Sequence, residues 1–116
     1  MTSKQMVKDK LEEYERKSLF GRDGSIKRLA GNFLGKARHN LETARVMFDL
    51  SESGSAKEAL RISSSYAAYD WAIVSAYYAM YHAALGALAA LGFKSEDHEA
   101  TRVGLLYYYV LEGSLE

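Results

Sequence analysis

The sequence contains no cysteine and no proline. Without cysteine there are no disulfides, no thiolate zinc site and no cysteine nucleophile. The absence also fits a reducing cytoplasm, where the protein is expected to reside. Without proline, and with abundant Ala, Leu, Lys, Arg and Glu, the chain favours long helices over a strand-and-turn fold. No apolar segment of signal-peptide length precedes Asp9 and Glu12. Charge is missing too: no Asp, Glu, Lys or Arg occurs from Trp71 through Phe93, a run of 23 residues.

What remains is a chain of 116 residues, 48% hydrophobic, the length of one ordinary domain. Its 15 basic and 15 acidic residues cancel, but unevenly. Residues 1–48 hold 11 Lys/Arg against 6 Asp/Glu, a balance of +5; residues 49–116 hold 4 against 9, a balance of −5. Such asymmetry makes either a basic binding face or helical regions that neutralise each other.

Periodicity predicts a first helix over Ser3–Leu19, with Met6, Val7, Leu11, Tyr14 and Leu19 as a thin stripe suited to an arm that packs on a partner. Gly21–Ser25 reads as a turn. A second helix is predicted from Ile26 to Leu50, with Ala30, Phe33, Ala37, Leu41, Ala44 and Phe48 on one face and Lys27, Arg38 and Arg45 in register on another. Gly31 and Gly35 interrupt it, and close packing is the expected reason. Ser55-Ala56-Lys57-Glu58 reads as a capping box opening a short helix, and Ser63–Ser65 loosen the chain.

The uncharged run is expected to form a buried helix from Trp71 to Leu91 rather than a membrane span. Ser75, His82, its tyrosines and its many small residues give little insertion energy. Ala72, Ala76, Ala79, Ala83, Gly86 and Ala90 make a seam of small residues along it. Gly92 should end it. Lys94 is read as a loop residue, and Ser95 or Asp97 should cap a last helix through Leu111 whose inner face is Val103, Leu106, Tyr107 and Val110, broken by Gly113 and Ser114.

The chemistry-bearing residues are sparse. His39 reads as an exposed polar residue, His82 as a hydrogen-bonded core histidine paired with a tyrosine hydroxyl, and His98 as part of a cap. No two histidines have metal-ligand spacing, and no phosphate-binding glycine loop or nucleophile elbow occurs. Tyr66, Tyr69, Tyr77, Tyr78, Tyr81 and Tyr107–Tyr109 read as packing or interface residues, with base stacking as the competing role. Lys27, Arg28, Lys36, Arg38 and Arg45 make up a basic face that could meet nucleic acid.

The run Tyr69-Asp70-Trp71-Ala72 followed by Ser75-Ala76-Tyr77-Tyr78-Ala79-Met80-Tyr81-His82-Ala83-Ala84 resembles the central helix of HEPN (higher eukaryotes and prokaryotes nucleotide-binding) domains. A preceding Ala37-Arg38-His39-Asn40-Leu41-Glu42-Thr43-Ala44 helix, the Leu91-Gly92 end, His98, and the closing Tyr109-Val110-Leu111-Glu112-Gly113-Ser114-Leu115 are similar to that family as well, over about residues 29–115. The resemblance implies an all-α, up-and-down bundle of four or five helices, with a single domain over 1–116 made of an arm (1–20) and the bundle (25–115).

It also implies a homodimer that pairs with a minimal nucleotidyltransferase in a toxin–antitoxin-type couple. Tyr78, His82, His98 and Arg102 are then the candidate nucleotide- or RNA-binding residues; from the residues themselves no cofactor, no metal and no membrane association is expected. Some members are metal-independent ribonucleases using Arg-x(4–6)-His. No arginine here is followed by histidine at that spacing; Arg102 is followed by Tyr107–Tyr109 instead. A tyrosine, with its ordinary pKa near 10, is a poor stand-in for imidazole at neutral pH. The expectation is therefore a non-enzymatic module. The alternative is a C-terminally truncated ribonuclease whose motif lies in a missing helix.

Overall fold

A computed structural model describes residues 2–112. The expected helix break at Gly113 and Ser114, and the end of the closing family-like stretch, lie outside the described residues. The protein is 77% helix and 5% strand, with five α-helices. They are α1 (Ser3–Arg16), α2 (Ala30–Glu52), α3 (Gly54–Ala59), α4 (Tyr69–Ala90) and α5 (His98–Leu105); two three-residue strands, β1 (Phe20–Arg22) and β2 (Phe93–Ser95), pair with each other. The all-α reading holds. The chain divides into two compact units, Met1–Leu34 with Ala83–Glu116, and Gly35–His82.

In the first unit the Thr2 side chain caps α1 by accepting the Gln5 amide at 3.1 Å. The helix ends three residues earlier than expected. Ser18 takes the left-handed conformation at φ 59° and turns Leu19 back so that its amide donates to the Tyr14 carbonyl. The segment read as a turn from Gly21 begins instead in β1, antiparallel to β2 with Phe20 opposite Ser95 and Arg22 opposite Phe93; Lys94 is a strand residue. Gly92 follows α4 at φ +86°, a conformation few L side chains adopt, and so ends that helix as its sequence promised. The Asp97 carboxylate caps α5 by accepting the Ala100 amide at 3.0 Å.

Leu11, Tyr14, Phe20, Leu88, Phe93, Ala100 and Val103 form the core of this unit, with Leu19, Leu105, Tyr107 and Tyr108 against it. The α1 stripe is thus used within the chain. After Leu105 the backbone switches to π-type bonding over Leu106–Leu111, and the Glu112 amide reaches back five residues to Tyr107. In this segment Leu106 and Val110 are exposed, against expectation. The segment also brings Tyr108 onto Phe93, with ring centroids 4.0 Å apart. Thr101, buried beside the core, donates to the Asp97 carbonyl and shares a 2.6 Å bond with Ser95.

Several exposed carboxylates of this unit are held below their ordinary range. Glu13 accepts Lys17 and then Lys10, Glu99 accepts Arg102, Glu112 accepts Lys4, and Asp23 accepts the Ser25 hydroxyl. A depressed carboxylate contributes stability that is present above its unfolded value of about 4 and is lost as pH falls through the lower folded value. The melting temperature should therefore hold near neutrality and fall below about pH 4. Glu13→Gln should flatten that fall in circular-dichroism melts; an unchanged acid limb would refute the assignment.

The second unit contains the rest of α2, the short α3, a serine-rich connection and the first fourteen residues of α4. Ser53, rather than Ser55, caps α3 by accepting the Ala56 amide at 3.1 Å. The Ser51 hydroxyl donates to the Met47 carbonyl and accepts the Ala68 amide, both at 2.7 Å, which ties the incoming end of α4 to the outgoing end of α2. The Lys57 ammonium, on a buried stem, donates to the Ser64 carbonyl at 3.3 Å.

The expected close-packing glycines are elsewhere. A Cβ on Gly31 or Gly35 would meet nothing within 4 Å, whereas one on Gly86 would sit 3.3 Å from the Ala30 carbonyl and the Phe33 Cβ. Lys27 falls in a 3-10 turn over Gly24–Leu29, so its α-helical register with Arg38 and Arg45 is not formed.

Candidate functional site

The two units bury very different residues. In the first, whole Leu, Phe, Tyr, Ile and Val side chains are inside. In the second, the buried side chains are Ala37, Ala44, Ala68 and Ala79, with Ser51 and Lys57. Ala37 and Ala44 of α2 and Ala79 of α4 therefore lie inside, and bulky residues stand outside. Leu41 is 62% exposed, Trp71 60%, Ile73 71% and Met80 67%. This corrects the expectation of a buried central helix. Only 22% of the apolar window of α4 is buried, although by length and composition alone the helix could cross a membrane. The alanine seam packs as expected only at some of its positions. Ala79 and, in the first unit, Gly86 sit close against neighbours, while Ala72 and Ala76 floor an open groove.

That groove, about 900 Å³, runs along one flank of the second unit. Its α2 wall is Leu41 and Phe48, its α4 wall is Tyr69 and Ile73, and Ala44 joins the alanines in the floor. Arg38, Glu42 and Arg45 form the α2 rim. Phe48 meets Tyr69 edge-on at 5.9 Å, and the Tyr69 hydroxyl donates to Glu52, whose carboxylate raises the phenol above its ordinary pKa. At about 100° of turn per residue, Trp71, Val74 and Tyr78 fall on the opposite flank of α4 from Tyr69, Ile73 and Ala76. The exposed α4 residues thus reach two opposite sides of the helix, with Asp70 and Tyr77 between them.

His82 is half-buried in the second unit. Its Nδ1 lies 2.9 Å from the Tyr78 carbonyl and 3.2 Å from the Asn40 side-chain amide, not against a tyrosine hydroxyl. Protonated, Nδ1 donates to the carbonyl; unprotonated, it accepts the Asn40 amide. Only the bond from Asn40 links α4 to α2, because Tyr78 lies on the same helix as His82. Tyr78 sits one turn before it, on the flank of Trp71 and Val74.

His98 and Arg102 lie one turn apart on α5 of the first unit. There Arg102 binds Glu99 through two hydrogen bonds, from Nε at 3.1 Å and from Nη2 at 2.6 Å. Tyr108 is stacked into the aromatic core and Tyr109 donates to the Ala87 carbonyl, so both are committed to packing; burial raises both phenols.

The basic residues do not form one face. Lys27 and Arg28 are in the 3-10 turn of the first unit, and on α2 Lys36 falls about 160° around the helix from Arg38. Arg38 and Arg45 remain together on the groove rim. Leu41 and Phe48 do share the predicted face with Ala37 and Ala44, within about 60° of turn, and the groove lies where that face is left open at Leu41 and Phe48. Their seven-residue repeat, matched by Arg38 and Arg45, was the signal that could have found it. Among the described residues no group of three or more His, Cys, Asp and Glu side chains is placed to hold a metal. No family model matches the chain, and no match to it is found among the curated proteins or the solved structures.

Proposed function

We propose that the protein is a HEPN-like helical module that acts by association rather than catalysis. It forms a homodimer in the cytoplasm and pairs with a minimal nucleotidyltransferase, in a toxin–antitoxin-type couple whose target is a nucleotide or RNA. The sequence resemblance supports the family and the partner. The observation that carries the association is the second unit, which buries alanines and leaves its bulky side chains outside.

The self-association surface is the flank of α4 that carries Trp71, Val74 and Tyr78. Whole aromatic side chains present roughly 150–250 Å² each. The exposed parts of Trp71, Val74, Tyr77 and Tyr78 then make a patch of several hundred Å², comparable with or above the largest on a typical monomer, about 300–600 Å². This is about half of the ~800 Å² per partner of a standard interface. Trp71, Val74 and Tyr78 carry no charge, so each can meet its own copy in a two-fold contact, while Asp70 lies at the edge of the patch.

The expected result is a dimer by light scattering over a wide concentration range, and a monomer of unchanged helicity for Trp71→Glu/Tyr78→Glu. A monomeric wild-type chain, or a variant that stays dimeric, would sink the reading.

A further inference from the structure

We infer that the groove between α2 and α4 of the second unit is the docking site for a partner's amphipathic helix whose polar edge carries carboxylates seven residues apart. The groove is lined with apolar and small residues over the span from Arg38 to Phe48, roughly 15 Å of α2 axis, or about three turns. That length takes the i, i+3/i+4, i+7 anchors of a helix laid into a groove.

Charge selects among the apolar occupants. Arg38 and Arg45 stand on one rim, roughly 10 Å apart along the axis. Among the described residues the ion pairs all lie in the first unit, and neither rim arginine has a carboxylate within 4.0 Å. Glu42 lies four residues after Arg38 and three before Arg45, and it pairs with neither. The rim is therefore cationic, with two guanidinium forks available to bind carboxylates bidentately. The α4 wall contributes Tyr69 and Ile73 and no charge. A second copy that laid its α2 along this α2 would set one cationic rim against another, which costs affinity. An acidic helix satisfies both arginines and covers Leu41, Phe48 and Ile73 together. The inference does not depend on the dimer, because Trp71, Val74 and Tyr78 lie on the other flank.

The test uses the full chain and two synthetic helical peptides of about four turns with the same leucine stripe. One carries glutamates at i and i+7 beside the stripe, the other lysines, and helicity is checked by circular dichroism. In fluorescence anisotropy the glutamate peptide should bind the wild-type chain, and the lysine peptide should bind at least about tenfold more weakly. Arg38→Glu/Arg45→Glu should reverse that preference, with its fold verified by its melting curve. Trp71→Glu/Tyr78→Glu should bind the glutamate peptide as the wild type does.

Equal binding of both peptides, binding of neither, or no reversal in the charge-swapped chain would overturn the proposal. So would loss of the dimer in the Arg38→Glu/Arg45→Glu variant, which would assign the groove to self-association. A monomeric wild-type chain that still discriminates between the peptides would sink the dimer and leave the docking site standing.

Discussion

Gly104→Ala should destabilise the protein by about 1–3 kcal/mol, the usual cost of forcing atoms into a filled core. A Cβ at position 104 would sit 2.8 Å from Phe20 Cζ and closer still to its Cε2. Phe20 is buried and stacked on both Phe93, at 5.4 Å, and Tyr108, at 6.2 Å, so its ring cannot swing aside without opening the aromatic cluster. Gly104 lies within α5, where alanine would otherwise be preferred by up to about 1 kcal/mol, so the steric term must outweigh a favourable one. The matched control is Gly35→Ala, also within a helix but with nothing within 4 Å; it should stabilise by about 0.5–1 kcal/mol. Thermal unfolding followed by circular dichroism reads both. A melting temperature that rises in the Gly104 variant would show that the cluster has slack.

Leu88→Ala should have a larger effect, about 2–5 kcal/mol. Leu88 is 0% exposed and packs in the cluster that holds Leu11, Tyr14, Phe20, Phe93 and Val103, so truncation leaves a cavity walled by several elements. Ile73→Ala removes a comparable side chain from the same helix, but from a position 71% exposed. It should leave urea unfolding of the isolated chain within about 0.5 kcal/mol of wild type. A small loss for Leu88, or a loss at Ile73 as large as that at Leu88, would refute the division of α4 into a core segment and a surface segment.

That division was the part of the fold least legible in the sequence. Composition marked α4 as apolar, and Gly92 and Asp97 marked where helices end and begin, because capping is local chemistry written in one or two residues. What covers an apolar helix is not local. In α2 and α4 the bulky residues drew attention to the faces that proved open, while the alanines that allow close approach made the contact. The β1–β2 pair was invisible because three residues are too few to show alternation, and Gly21 at the centre of one strand reads as a turn. The π segment after Leu105 differs from an α-helix only in which carbonyl each amide chooses, so Tyr107, Tyr108 and Tyr109 gave no warning that Tyr108 would turn inward. Of the candidate site, the repeat of Arg38 and Arg45 and the shared face of Leu41, Ala44 and Phe48 are legible in the sequence, but the openness of that face is not.

The first unit draws on both ends of the chain, residues up to Leu34 and residues from Ala83 onward. On a ribosome, Leu11 and Tyr14 leave the exit tunnel long before Leu88, Phe93 and Val103, the residues they must meet. During that interval the second unit, whose contacts are complete by His82, emerges with its apolar flanks uncovered. The order of synthesis thus presents the part with open apolar flanks before the part that buries the large side chains, and those flanks face the surroundings before the remainder of the chain has folded.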